Sequence, residues 1–227
     1  MFLDTLVKNL HHSIFRYDEV LSYLKYREVT EKDIEKFDLG FGKVVTVPDD
    51  ETSDRQRFMD ESWKGRKFEN KLIFPIKDPI GRVVGIIGRS IDTKGFKIYV
   101  TNEAKFSGFF FGLYEALPCI YEKNRVYIVE GPFDSMAFSK VLPNTVATLT
   151  AKLHESQYEL LNFYCDNIIT VFDSDKAGKD GTEKALKYEN VHSMFLGYKD
   201  PSKCLEELKL DKFKKFVMDK LQKVPPF

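Results

Sequence analysis

The chain has 227 residues, 43% hydrophobic and 14% aromatic, enough to bury one substantial core or two smaller ones. No apolar run approaches the roughly 20 residues of a membrane span, and no secretory signal pattern opens the chain. The 35 basic and 35 acidic residues cancel, which argues against bulk polyanion binding. The balance nevertheless hides a division, with net charge −5 over residues 1–62, +6 over 63–125 and −1 over 126–227.

Cys119, Cys165 and Cys204 are widely spaced and odd in number, as expected of reduced thiols in a cytoplasmic protein. There is no C-x-x-C, and His11, His12, His154 and His192 show no ligand spacing, so zinc is not expected. His11 and His12 are expected on the surface of an N-terminal helix.

Residues 2–12 and 17–26 predict two short helices, the first with Leu3, Leu6, Val7 and Leu10 on one face. Thr30 opens a third as a capping box with Asp33 at N3, and Gly40 closes it. Residues 42–62, containing PDDETSD, lack periodicity and predict an acidic loop. From residue 71 the pattern changes to strands. KLIFPIKD carries Pro75 and predicts an edge or irregular strand. Pro79–Gly81 makes a hairpin turn into Val83–Ile87, and FKIYVT is a third strand. Residues 63–117 therefore read as a small, twisted, basic sheet layer, with Phe109, Phe110 and Phe111 as core rather than exposed stacking platforms.

From residue 126 strands and helices alternate. Strands are predicted at 126–130, 145–149, 167–172 and 192–196, and helices at 134–141, 153–164, 178–188, 201–208 and 211–222. Such alternation implies right-handed βαβ units and a parallel sheet covered on both faces, an α/β fold preceded by a smaller mixed α+β basic part. The division expected is 1–62, mostly helical; 63–125, basic and β-rich; 126–210, the parallel-sheet domain; and 211–227, a C-terminal helix.

The chemistry gathers in that last half. Ligands of an open parallel sheet sit beyond the carboxyl ends of its strands. Glu130 and Asp173 each end a strand there. Gly131 and Pro132 turn the chain so that Asp134 falls in the first turn of the following helix, and Asp175 lies two residues beyond Asp173. Asp200, before Pro201, can join them. Carboxylates converging without cations repel, so either their pKa values rise or a divalent cation neutralises them, and hard oxygen donors favour Mg²⁺ or Mn²⁺. Lys176, Gly178 and Lys179 follow where a bound phosphate would lie. No G-x-x-x-x-G-K-[ST] is present, which excludes a P-loop NTPase.

VEGPFD and FDSDKAGKDG together resemble the Toprim domain shared by bacterial-type primases, topoisomerases and some nucleases. YLKYREVTEKDIEKFDLGFG, KFENKLIFPIKDPIGRVVGIIGRS and FGLYEAL extend the likeness to the N-terminal half of the bacterial and phage DNA primase catalytic core, over roughly residues 20–210. The resemblance implies a DNA-dependent RNA polymerase that makes short primers on single-stranded DNA from ribonucleoside triphosphates. Glu130, Asp134, Asp173 and Asp175 would be its catalytic acids, binding metal together with Asp200. It further implies that Arg27, Arg89 and Lys97 contact nucleotide or template phosphates, with Lys71, Lys105 and Lys176 as further cations. The chain departs from the family at Asp200-Pro201-Ser202, where D-P-D is usual, and at Glu28, where a glycine usually follows the arginine. A family lysine falls at Phe106 or Ser107, next to Lys105. Zinc-binding and helicase-binding regions are not recognised, so a helicase or zinc-binding replication protein acting in trans is expected, as is a phage origin within a bacterial host cytoplasm. The alternatives are a Toprim nuclease and a non-catalytic single-strand-binding replisome subunit.

Overall fold

The computed structural model describes residues 2–49, 51–62, 65–93, 95–100 and 108–222. The chain packs as two compact units, Met1–Phe106 and Ser107–Phe227.

The first unit opens with α1 (Phe2–Ile14), α2 (Asp18–Tyr26) and α3 (Glu31–Lys36). The apolar stripe of α1 is buried at Leu3, Leu6, Val7 and Leu10. His11 is not a plain surface residue: its Nδ1–H donates to the Leu39 carbonyl at 2.9 Å, tying α1 to the chain after α3. The Thr30 capping box forms as expected, with the Asp33 N–H donating to Thr30 Oγ1 and the Thr30 N–H donating to Asp33 Oδ2. After α3 the chain gives strand β1 (Gly40–Gly42), helix α4 (Ser53–Glu61), a 3₁₀ turn at Arg66–Phe68, and strands β2 (Lys71–Lys77), β3 (Val83–Ser90) and β4 (Phe96–Val100). The four strands form an antiparallel sheet in the order β1-β2-β3-β4.

Two expectations need correction, and a third holds in part. Gly40 does not merely end a helix but starts β1, which lies so close to α1 that a Cβ at Gly40 would meet Leu10 Cβ at 2.8 Å. Within the expected acidic loop, Ser53–Glu61 is a helix capped by Thr52, whose hydroxyl accepts the Arg55 N–H. Its single buried residue, Phe58, leaves no apolar period to detect. Finally, β2 is an inner strand over Lys71–Ile73 only; at Pro75 it is paired on one side alone among the described residues, and its register shifts between Ile76 and Lys77, so the expected edge or irregular character holds there.

The second unit contains α5 (Leu113–Lys123), β5 (Arg125–Val129), α6 (Pro132–Ser139), β6 (Thr145–Ala147), α7 (Glu155–Tyr164), β7 (Asn167–Thr170), α8 (Lys176–Ala185), β8 (Val191–Ser193) and α9 (Pro201–Leu221). The strands are all parallel, in the order β6-β5-β7-β8. Residues 113–117, expected in the sheet layer, instead begin a helix. Gly112 and Pro118 look like breakers in sequence, but Gly112 is the left-handed N-cap and Pro118 lies inside the helix. Phe110 is fully buried in one core with Val126, Ile128, Val146 and Ile168, Phe111 is buried as well, and Phe109, expected as core, is only partly buried. α9 is interrupted at Lys209 (φ 61°, ψ 163°), which divides it where two helices were predicted.

α2 ends in a Schellman motif. The Glu28 N–H donates to the Lys25 carbonyl and the Val29 N–H to the Leu24 carbonyl, with Val29 and Leu24 both buried. The motif forces Glu28 to φ 57°, a conformation glycine adopts freely and a β-carbon resists. Glu28→Gly should therefore raise stability by about 0.5–1 kcal/mol, seen as a higher urea midpoint at unchanged m-value.

Candidate active site

The loops after β5, β6, β7 and β8 meet at the carboxyl rim of the parallel sheet, and α6, α8 and α9 start there. Four of the five acids, all but Asp173, are fixed by a backbone N–H. Glu130, one residue past β5, accepts the Asp173 N–H through Oε1 at 2.9 Å, crossing from one strand end to its neighbour. Asp134, in the first turn of α6, accepts the Ser202 N–H at 3.1 Å. Asp175 and Asp200 are the N-caps of α8 and α9, accepting from the Gly178 N–H at 2.9 Å and the Lys203 N–H at 2.6 Å. Three helix N-termini thus turn toward the acids, and their dipoles favour negative charge there.

Asp173 is the centre of the group. Its Oδ1 is buried and accepts no hydrogen bond among the described residues. Burial, reinforced by the charges of Asp134, Glu130, Asp200 and Asp175, pushes its pKa up to about 8. Glu130 is raised as well, chiefly by burial, against the lowering effect of the Asp173 N–H and with smaller contributions from Asp175 and Asp200. Backbone packing holds this crowding in place. A Cβ at Gly178 would meet the Asp173 carbonyl oxygen at 2.2 Å and Glu130 Oε1 at 2.7 Å, so α8 can begin here only without a side chain.

The four other sequence-predicted acids therefore all lie within electrostatic reach of Asp173. Among the described residues, however, no three acids, histidines or cysteines are gathered as a ready-made ligand shell. The backbone anchors explain this, since each spends an oxygen on an N–H and spreads the carboxylates along the rim. A hard divalent cation fits the donor set. It would satisfy the buried Asp173 oxygen and offset the burial and repulsion that raise its pKa. Lys176 is exposed in the first turn of α8.

The remaining predicted cations belong to the first unit. Arg27 caps α2 and is half-buried. In the antiparallel sheet, Lys97 pairs with Gly88 and Lys71 with Ser90, and since Gly88 and Ser90 are two apart on β3, both lysines share a face. Arg89, between those partners, leaves on the opposite face. Lys105 lies outside the described residues.

Sequence reasoning missed two features of the rim. Ser202, buried directly after Pro201, supplies the N–H that holds Asp134. Leu149 follows β6 at φ 69°, a strained conformation for a leucine, and donates its N–H to the Glu130 carbonyl at 2.9 Å. Residue type gave no sign of Leu149. The helix start at Pro201 was legible from proline at the first helical position, whereas α6 starts at Pro132, two residues before the predicted 134.

Two family descriptions match the chain: "DNA primase catalytic core, N-terminal domain" over residues 7–109 and "Toprim-like" over residues 127–205. The chain belongs to the DNA primase catalytic-core family. The DNA primase of Aquifex aeolicus is 28% identical over 95% of this chain and 48% of its own length. That of Escherichia coli is 30% identical over 73% of this chain and 31% of its own. The chain thus spans less than half the length of these primases. Among solved structures, the zinc-binding and RNA polymerase domains of the Aquifex aeolicus primase align at TM-score 0.79 with 25% identity, covering 99% of this chain and 60% of that one. A DnaG catalytic core aligns at TM-score 0.84 with 24% identity, covering 99% and 79%, which establishes the shared fold.

The sign of the Asp173 shift sets a pH dependence. An acid whose folded pKa exceeds its unfolded value of about 3.9 retains a proton the unfolded chain has lost. In the presence of a chelator this contribution to stability is complete below about pH 4 and is lost as pH rises toward about 8. Asp173→Asn should remove that loss and raise the melting temperature at pH 8 by a few degrees, with little change at pH 4. Gly178→Ala should destabilise by about 2 kcal/mol or more, because the obstructing atom is backbone.

Proposed function

We propose that the chain is the catalytic core of a DNA primase, a DNA-dependent RNA polymerase that joins ribonucleoside triphosphates into short primers on single-stranded DNA. The observation that carries this reading is Asp173. Its buried, unpartnered oxygen lies amid four other acids on the carboxyl rim of the Toprim-like half. A solved DnaG primase catalytic domain is described as bound to single-stranded DNA, which supports the same template class.

In this reading Glu130, Asp134, Asp173 and Asp175 are the catalytic acids and hold Mg²⁺ or Mn²⁺ together with Asp200. Held there, a divalent cation would supply charge to offset the phosphates and the oxygens between which the bond is exchanged. The protein's own contribution is placement: strand ends and helix caps fix the carboxylates before substrate arrives, so little reorganisation is needed. Lys176, at the start of α8, meets phosphate next to the acids. Arg89 leaves its sheet on the face opposite Lys71 and Lys97, so these cations serve separate stretches of polyanion. Arg27 and Lys105 complete the set, and the +6 segment gives it a background attraction for the template. Catalysis takes place in the cytoplasm, in that of the bacterial host if the chain is phage-encoded. A helicase or zinc-binding replication protein works in trans.

Incubation with single-stranded templates, the four ribonucleoside triphosphates and Mg²⁺ or Mn²⁺ should yield short RNA, and Asp173→Ala should lower the yield more than about 100-fold. Absence of RNA even with candidate partner proteins, or full activity of the variant, overturns the reading; nicking of supercoiled plasmid instead would assign a Toprim nuclease. Lys97→Ala should weaken single-stranded DNA binding at all sequences alike and reduce the salt slope by about 1, measured by fluorescence anisotropy across a salt series.

A further inference from the structure

A groove of about 220 Å³ opens beside the acids, between α8 and the chain leaving β8. Its walls include Phe172, Asp173, Lys179, Leu186, Met194 and Phe195. Phe172 and Met194 form a buried floor at 7% and 5% exposure, whereas Leu186 and Phe195 remain 47% and 56% exposed. Two large apolar side chains kept in water next to a charged rim call for an occupant. The groove is also small. Pockets for drug-sized ligands start near about 300 Å³, so this one takes a single flat ring system and leaves charged groups outside.

We propose that the groove seats the base of the nucleotide whose phosphates lie at the acids, stacked on Phe195. The inference rests on the nucleotide-joining reading of the site. Three observations select this occupant over another apolar one. The groove is continuous with the candidate site, since Asp173 belongs to both. Lys179 stands on its wall, exposed and unpaired among the described residues, as a cation for the phosphate of a molecule whose ring lies within. An exposed phenylalanine gives any base a π-face without selecting its edge, which suits an enzyme that must accept all four nucleotides.

Steady-state primer synthesis by the full chain tests this. Phe195→Ala should raise KM for ribonucleoside triphosphates about 5- to 150-fold, the range base stacking on an aromatic supplies, with kcat largely kept. Phe195→Tyr should restore the wild-type value. Because Phe195 is half-exposed, both variants should fold, and thermal melts check this. A second readout does not depend on catalysis. In a Trp63→Phe background that removes the sole tryptophan, Phe195→Trp fluorescence should be quenched by ATP and by CTP with Mg²⁺, but not by inorganic tripolyphosphate. A KM for Phe195→Ala within twofold of wild type, or equal quenching by tripolyphosphate, overturns the base site. If the wild-type chain makes no RNA, the functional reading fails, and the quenching experiment alone decides the groove.

Discussion

The second unit is organised around a repulsion that its backbone does not allow to relax. Glu130 and Asp173 end adjacent strands, and the bond from the Asp173 N–H to Glu130 Oε1 locks one strand end against the other. Asp134, Asp175 and Asp200 are fixed in the same way at helix starts. Every one of these anchors comes from the main chain, so the acids cannot swing away from each other without undoing a cap or a strand end. Burial then does the rest, forcing Asp173 to keep its proton well beyond the ordinary carboxylate range. This is stored electrostatic free energy, and it is released by whatever cation or phosphate complex the rim accepts.

How far this was readable in sequence depended on whether one residue type had one plausible role. Carboxylates at the ends of apolar runs, with Gly-Pro or Lys-Ala-Gly after them, placed the rim and all five acids. The alternating pattern after residue 126 placed the parallel sheet and even the break in the last helix. α4 was hidden because it buries only Phe58, and α5 because Gly112 and Pro118 hold positions where breakers are tolerated. β1 escaped notice since three residues carry no period. The opposite faces taken by Arg89 and the two lysines depend on strand register, which local sequence does not specify.

The departures from the usual family pattern take on physical meaning in the structure. At position 202 a second acid would have stood beside Asp134; serine occupies it, buried, and its N–H supports that same carboxylate. The rim carries one negative charge fewer, and the bond that holds Asp134 is a main-chain one that does not depend on the side chain at 202. At position 28, glutamate in place of glycine leaves the Schellman turn formed but strained, directly after Arg27 at the end of α2.

The brevity of the outer strands has a consequence for life in a crowded cell. A parallel sheet ends in two rows of open amides and carbonyls, which invite another chain to add on. Here β6 is three residues long and its free side is taken by Phe111, which exchanges both backbone hydrogen bonds with Ala147. β8 is three residues long as well. Neither border is long enough to template a foreign strand. The unit can carry its strained, acid-lined rim through folding and replication without growing into ladders of its own copies.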